Sequence, residues 1–221
     1  MRGTSTRARL REQRRAHIEQ VALELFHRRG FGQVTVEDVC AEAGVGPATF
    51  YRHFGTKEGV VLSYRNAFTT ALRSAIEAAA DGPEPARLAI VMSDFAGFLE
   101  SQREMLALRD EIVLGHPRLL ERTLTIQQDM EAALADGLAR LRGLSQVDSA
   151  AELEAGLGIL VLRIAVRSWR MEGESSLPAA VEQVLAGVRT LVGGPLEPGS
   201  TSDVIPSPPD RRRRTEDPDG R

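Results

Sequence analysis

The spacing of apolar residues constrains this chain most, because it follows the 3.6-residue period of an α-helix nearly throughout. In residues 11–29 the apolar side chains recur at i, i+3, i+4, i+7 and i+8, which is one face of a helix. The same spacing predicts helices over 36–43, 47–54, 57–80, 86–101, 104–114, 118–142, 149–171 and 178–192. A strand-like alternation of useful length is missing from the sequence. The predicted fold class is therefore all-α.

Composition excludes several other classes of protein. The 221 residues suffice for one large domain or two small ones, each with its own core. Cys40 is the sole cysteine, so an internal disulfide and a cysteine-based zinc site are excluded and a reduced setting is favoured. The longest apolar run, around 157–166, is interrupted by Arg163 and has about half of the ~20 residues of a membrane span. We expect a cytoplasmic protein without membrane contact.

Charge is distributed unevenly along the chain. The net charge is −3, yet residues 1–60 sum to +3 and residues 61–192 to −5. A basic front on an acidic body indicates an anionic partner for the N-terminal part. After Gly193-Gly194 the chain is rich in proline, serine and aspartate, so 193–221 is predicted to be a disordered tail.

Two short helices joined by a tight turn form a helix-turn-helix candidate. Thr35 is a suitable N-cap for Val36–Ala43, with Asp38 in the position of a capping-box acid. Gly44-Val45-Gly46 then interrupts the helical pattern. In Pro47–Phe54 the proline occupies the first helical position, where it is tolerated.

The surroundings of this corner are more specific than the corner itself. They consist of Ile18-x-x-Val-Ala-x-x-Leu-Phe26, Gly30-Phe31, Thr35-Val36, Val39, Ala43-Gly44-Val45 and Thr49-Phe50-Tyr51-x-His53-Phe54-x-x-Lys57-Glu58. Over about residues 12–62 this block resembles the DNA-binding domain of the TetR (tetracycline repressor) family. Gly46-Pro47-Ala48 departs from the polar triplet that many members have. The resemblance implies a three-helix DNA-binding domain at 12–62 and a helical ligand-binding and dimerisation domain at 66–192.

The second short helix supplies the candidate DNA contacts, since a recognition helix places its N-terminal residues over base edges. The candidates for base contact are Pro47, Ala48, Thr49 and Arg52. The candidates for phosphate contact are Thr35, Tyr51, His53 and Lys57. Residues 1–11, with Arg2, Arg7, Arg9 and Arg11, are predicted to form a flexible basic arm. Such an arm either enters a minor groove, binds phosphates or only aids solubility.

The last two helices are candidates for a homodimer interface, which is also their role in the resembling family. Helix 149–171 is apolar on nearly all sides between Leu157 and Val166, so it requires a cover beyond its own domain. Helix 178–192 carries a broad apolar stripe. Two such helices from each subunit would form a four-helix bundle across a two-fold axis.

Candidate effector-lining residues lie on the helices within 86–142. They are Phe95, Phe98, Met105 and Leu106, with Arg109, Gln127 and Gln128 as polar anchors. The stretch Gly115–Arg122 and the segment Arg167-Ser-Trp-Arg170 resemble a subgroup with an acyl-CoA-like ligand domain. That resemblance implies an apolar effector, such as a fatty acyl-CoA.

The function predicted from these features is a homodimeric repressor that a small apolar effector releases from a palindromic operator. A ligand-responsive activator and a helical protein-interaction module without DNA binding are the alternatives. An enzyme is not expected, because the sequence has no Gly-x-Ser-x-Gly, His-Glu-x-x-His or Gly-x-x-x-x-Gly-Lys motif. No cofactor or metal is expected either.

Overall fold

The computed structural model describes residues 3–172 and 176–193 of the chain, and these form ten α-helices without a strand. The helices are α1 (Gly3–Arg29), α2 (Val36–Ala43), α3 (Pro47–Phe54), α4 (Lys57–Val61), α5 (Tyr64–Ala78), α6 (Arg87–Ser101), α7 (Arg103–Leu114), α8 (Pro117–Leu141), α9 (Ser149–Glu172) and α10 (Leu177–Gly193). The all-α prediction is confirmed. Nearly the whole predicted tail, 194–221, lies outside the described residues. None of the described helices has the length and apolarity needed to cross a bilayer.

Local signals set the boundaries of α2 and α3. The Thr35 hydroxyl accepts a hydrogen bond from the Asp38 amide at 3.1 Å, and the Asp38 carboxylate accepts one from the Thr35 amide at 2.8 Å. This capping box satisfies amides that a helix start leaves without partners. Gly44 ends α2 at a φ of 64°, in the left-handed region that favours glycine. Both helices have the predicted boundaries.

Helices α1–α4 form an N-terminal unit whose apolar side chains converge between α1, α2 and α3. Ile18, Val39 and Phe50 are fully buried there, as their spacing predicts. Cys40 is also buried, and burial raises the pKa of its thiol. A buried thiol with a raised pKa is a small packing residue with little reactivity.

Two boundaries differ from the sequence prediction. Helix α1 begins at Gly3, so residues 3–11 are helical. The prediction of a flexible arm is wrong for these residues. Residues 7–11 of this segment are Arg, Ala, Arg, Leu and Arg, which are all good helix formers, and the segment contains no proline. The single helix predicted over 57–80 is instead divided at Leu62 and Ser63. Leu62 is buried on the core, and α4 ends before it while α5 starts after Ser63.

Helices α5–α10 form the body. Helix α6 packs between α5 and α10, and α8 packs between α5 and α9. Helix α7 packs along α1 of the N-terminal unit on one side and against α8 of the body on the other. It also contacts α4. One continuous core therefore runs from Phe26 in the N-terminal unit through Leu72 and Leu134 to Trp169 in the body.

Candidate nucleic-acid interface

Helix α3 is held by one face and offers the other to solvent. Phe50 is fully buried and contacts the rings of Tyr51 and Phe54, with centroids 5.7 and 5.5 Å away. On the outer side Pro47, Ala48, Tyr51 and Arg52 are exposed, and Thr49 is half-buried. The Arg52 guanidinium donates to the Thr49 hydroxyl at 3.3 Å. All six residues that the sequence assigned to DNA contact on α3 are thus at least partly accessible, His53 included.

The C-terminal end of α3 has a positive environment. Partial burial lowers the pKa of His53, and the nearby Arg11, Arg52 and Arg15 lower it further. The guanidinium of Arg15 lies 5.6 Å from the centre of the Phe54 ring. A neutral imidazole among three arginines offers a hydrogen-bond donor in a region that attracts anions.

Lys57, the sole lysine of the sequence, makes an internal contact that the sequence did not predict. Its ammonium donates to the carbonyl oxygens of Phe31 at 2.7 Å and Val34 at 2.9 Å. It also lies 4.4 Å from the centre of the Phe31 ring. The side chain therefore ties the start of α4 to the connection between α1 and α2. These two hydrogen bonds use two of the three N–H donors of the ammonium, which leaves one donor for a phosphate.

Thr35 is likewise engaged within the protein. Its hydroxyl donates to the Asp38 carboxylate at 2.6 Å as well as accepting from the Asp38 amide. Hydrogen bonds from Thr35 lower the pKa of Asp38, so this carboxylate is ionised at neutral pH. The anion at the N-terminus of α2 is thus the protein's own carboxylate, and Thr35 is first a structural cap.

Arg109, predicted from the sequence to be a polar anchor for the effector, is engaged in contacts within the protein. Its side chain is buried and forms an ion pair with Glu19 of α1. Its Nε donates to the carbonyl oxygen of Val61 at 3.2 Å, and its guanidinium lies 5.4 Å from the Tyr64 ring. Burial lowers the pKa of Arg109 to about 10, and Arg15 lowers it as well, so the group remains cationic at neutral pH.

Further contacts join α1 and the residue Phe31 to α7 and the residue His116. His27 Nδ1 lies 2.7 Å from a carboxylate oxygen of Glu111, and the Phe31 ring meets His116 edge-on at 4.9 Å. We call the contacts of α1 and Phe31 with α7 and His116, including Glu19–Arg109, the junction. Glu19 and Arg109 are 90 positions apart, so no local pattern in the sequence links them.

The aromatic candidates for effector contact do come together in the body. Phe95 is buried and Phe98 half-buried, with ring centroids 6.1 Å apart. Phe68 lies edge-on to both at 5.8 Å, and Tyr64 lies 4.7 Å from Phe68. We call these four residues the aromatic cluster.

The other candidates from the same set differ in position. Met105 and Leu106 are partly buried against the core from α7. Gln127 and Gln128 lie on the exposed face of α8, whose buried face carries Ile126 instead. Their exposure does not agree with the prediction that these two glutamines are polar anchors of an effector site inside the body. The periodicity of α8 assigns them to the outer face, since they directly follow a core position.

Comparison with known proteins agrees with this architecture. Residues 18–64 match the family model described as bacterial regulatory proteins, tetR family. The HTH-type transcriptional regulator TcmR of Streptomyces glaucescens is 29% identical over 200 residues, covering 85% of this chain and 88% of TcmR.

Solved structures are similar in fold. A putative TetR-family transcriptional regulator from Syntrophomonas wolfei has a TM-score of 0.61 at 19% identity, covering 84% of this chain and 98% of that one. The SmeT–triclosan complex has a TM-score of 0.56 at 21% identity, covering 79% of this chain and 91% of SmeT. Residues 18–64, which contain the helix-turn-helix described above, therefore form a tetR-family domain, and the chain as a whole is similar to TetR-type transcriptional regulators in sequence and fold.

Proposed function

We propose that this regulator is a homodimeric repressor that binds a palindromic operator and leaves it when a small apolar effector binds. The observation that carries the proposal is the accessible outer face of α3, held in place by the buried Phe50. A short helix anchored in this way suits entry into a major groove. Because a repressor acts on the chromosome, we place it in the bacterial cytoplasm.

The proposed DNA contacts are divided between bases and backbone. Pro47, Ala48, Thr49 and Arg52 face the base edges, where methyl groups meet thymine and the guanidinium can pair with guanine. Tyr51 and His53 donate to phosphates, supported by the positive environment of His53. Thr35 and Lys57 contribute mainly by holding α2 and α4 in position, given their internal hydrogen bonds.

The dimer proposal rests on apolar side chains of α9 without a cover in the single chain. Leu153 is 74% exposed, Leu160 40% and Met171 82%. With the half-buried Leu157 and Ile164, the two leucines repeat every three or four residues from 153 to 164, which is the spacing of a helix–helix seam, and Met171 follows two turns later. Isolated exposed leucines are ordinary, but a stripe of apolar side chains over three turns of a helix indicates an interface.

Helix α10 extends the same apolar surface. Val184 and Val188 are half-buried, while Leu191 and Val192 are largely exposed near its end. Helices α9 and α10 pack on each other within the chain. Two copies related by a two-fold axis would therefore form a four-helix bundle, as in the predicted interface over 149–171 and 178–192.

The aromatic cluster supports an apolar effector. Aromatic rings with adjustable packing suit an acyl chain or a planar ring, and fatty acyl-CoA is the class to test first. The similar SmeT structure is a complex with triclosan. Phe95, Phe98, Met105 and Leu106 are the proposed contacts.

Tyr64 offers a route from the effector to the DNA-binding helices. It contacts Phe68 of the aromatic cluster on one side and the guanidinium of Arg109 on the other. Arg109 in turn is paired with Glu19 of α1. An effector that displaces Tyr64 would therefore shift the junction, and with it the spacing of the two α3 helices in a dimer.

Selection of bound sequences from random duplexes by the full chain tests DNA recognition. We expect a palindrome with half-sites about 34–36 Å apart. The Tyr51→Ala, Arg52→Ala variant should lose binding, whereas Arg73→Ala on the exposed surface of α5 should not. Failure to enrich any palindrome would contradict the proposal and favour the protein-interaction alternative. Transcription in vitro from a promoter overlapping the site then separates repressor from activator.

Sedimentation at micromolar concentration tests the dimer. Leu153 and Leu114 are 74% and 75% exposed, so replacing either with glutamate should leave the chain folded. Leu153→Glu should yield a monomer because it introduces a charge into the α9 stripe. Leu114→Glu, at the end of α7, is the matched control and should remain a dimer. A wild-type chain that sediments as a monomer would refute the proposal.

A further inference from the structure

We propose that the first part of α1 is a second DNA-binding element, a rigid arginine-bearing helix that contacts the phosphate backbone flanking the operator. This inference rests on the proposed function and extends it to residues before the helix-turn-helix domain. Helix α1 runs unbroken from Gly3 to Arg29, but its first fully buried residue is Ile18. Arg7 lies 11 positions earlier, so its Cα is about 16 Å from that of Ile18 along the helix axis.

The arginines of this extension share one face. Arg7, Arg11 and Arg14 are spaced i, i+4 and i+7, and the same series continues through the buried Ile18, Ala22 and Leu25. The face that packs on the N-terminal unit therefore becomes an arginine face where α1 extends past that unit. We call Arg7, Arg11 and Arg14 the arginine stripe.

Contacts near the stripe show what it lies beside. Arg15, one residue further on, reaches the carbonyl oxygen of Ser63 at 3.1 Å and the Phe54 ring at the end of α3. Arg11 is close enough to His53 to lower the pKa of that imidazole. The stripe thus projects from the end of α3 that carries the proposed phosphate contacts.

The arginines of the stripe are also available for an outside partner. Arg7, Arg11 and Arg14 are exposed, and among the described residues none of them is paired with an acid. Arg15, in contrast, is paired with Glu12 at 3.3 Å and lies 3.7 Å from Glu19. A row of unpaired guanidinium groups spaced over about 10 Å matches a strand of phosphates. A helix is too wide for the narrow minor groove, so backbone contact is favoured over insertion.

The test compares two variants that lose the same charge. In the stripe variant, Arg7, Arg11 and Arg14 are replaced with glutamine. In the control, Arg9 on the opposite side of α1 and the exposed Arg73 and Arg118 of the body are replaced with glutamine. Affinity for the selected palindrome is measured against salt, on a duplex of the palindrome alone and on one with eight flanking base pairs on each side.

Each phosphate contact contributes about 0.9 to the slope of log affinity against log salt. On the long duplex the stripe variant should therefore lose about 2–3 from the slope per protomer, while the control retains it. On the short duplex wild type and stripe variant should converge. Equal slopes for stripe variant and control on the long duplex would overturn the inference. A wild type that enriches no palindrome would instead overturn the proposed function, so the two failures are distinct. A wild-type slope that changes between AT-rich and GC-rich flanks would overturn backbone contact in favour of groove insertion.

Discussion

The N-terminal unit and the body expose surfaces of opposite character. Along α3 and the first turns of α1 the exposed groups include several arginines, a tyrosine and small residues. Along α9 the exposed groups include two leucines and a methionine beside charged residues. One surface suits a polyanion and the other a second copy of the same apolar face. The net charge of −3 conceals this division because it averages the two regions.

The two regions also differ in how their structure is determined. In the N-terminal unit the boundaries of α2 and α3 are set by residues adjacent to them in the sequence. These are the helix caps, a glycine in the left-handed region and a proline at the first helical position. In the body, side chains acquire their roles from partners far along the chain. Where the regions meet, at the junction, both kinds of determinant operate together. The predictions below test whether the N-terminal unit and the body can be disturbed separately.

The largest effect is expected from Phe50→Ala. Phe50 is fully buried, and truncation of a buried phenylalanine costs about 3–5 kcal/mol. Urea unfolding should show this loss, and binding to the selected duplex should disappear. Because the proposed dimer surface lies in the body, sedimentation in buffer should still show a dimer. A monomer would mean that loss of Phe50 unfolds the N-terminal unit and the body together.

The next effect is expected from Arg109→Met, which leaves the partly buried Glu19 at the junction without its main partner. Breaking a buried pair costs about 3–5 kcal/mol, and Arg15 at 3.7 Å from Glu19 should hold the loss near the lower figure. Adding Glu19→Leu removes the uncompensated charge and should restore most of the stability. A double variant as unstable as Arg109→Met alone would show that the ion pair is not the source of the loss.

A smaller effect is expected from Lys57→Met. This change keeps the length of the stem but leaves the carbonyl groups of Phe31 and Val34 without their charged donor, at about 1–2 kcal/mol. If Lys57 is an internal tie, the salt slope of DNA binding should stay unchanged while the urea midpoint falls. A slope reduced by about 1 per protomer with no loss of stability would restore the phosphate contact predicted from the sequence.

The smallest effect is expected from Asp38→Asn and depends on pH. Hydrogen bonds from Thr35 hold the pKa of Asp38 below its ordinary value of 3.8 in the folded chain. The resulting stabilisation is present above pH 3.8 and is lost as the pH falls through the lowered pKa. Wild type should therefore exceed the variant in urea midpoint at neutral pH, and the two should converge in acid. A difference in urea midpoint that persists at pH 2 would show that the stability change comes from packing and not from the charge of Asp38.

The sequence predicted the parts of the fold that depend on neighbouring residues. The boundaries of α2 and α3 and the Thr35–Asp38 capping box were all predicted, because each is decided within one turn. The division between α4 and α5 was not, since Leu62 and Ser63 include neither proline nor glycine. That turn follows from the burial of Leu62 on the core.

The roles of Arg109 and Lys57 show the same limit at the candidate site. Both were recognised as noteworthy, but their partners lie 90 and 26 positions away in the sequence. A cation in an amphipathic helix looks the same whether it faces a ligand, a phosphate or a buried glutamate. The helical state of residues 3–11 was missed for another reason. Charge was interpreted as disorder although the helix propensities of residues 7–11 favoured α1.

The tie made by Lys57 has a consequence for chemical labelling. The sequence contains a single ε-amino group, and in the folded chain it donates to two backbone carbonyl oxygens. Its reactivity towards an acylating reagent therefore reports how often the connection between α1 and α2 opens. One modified peptide in a mass spectrum would then measure the local opening of the N-terminal unit, with and without DNA, in a chain that needs no engineered probe.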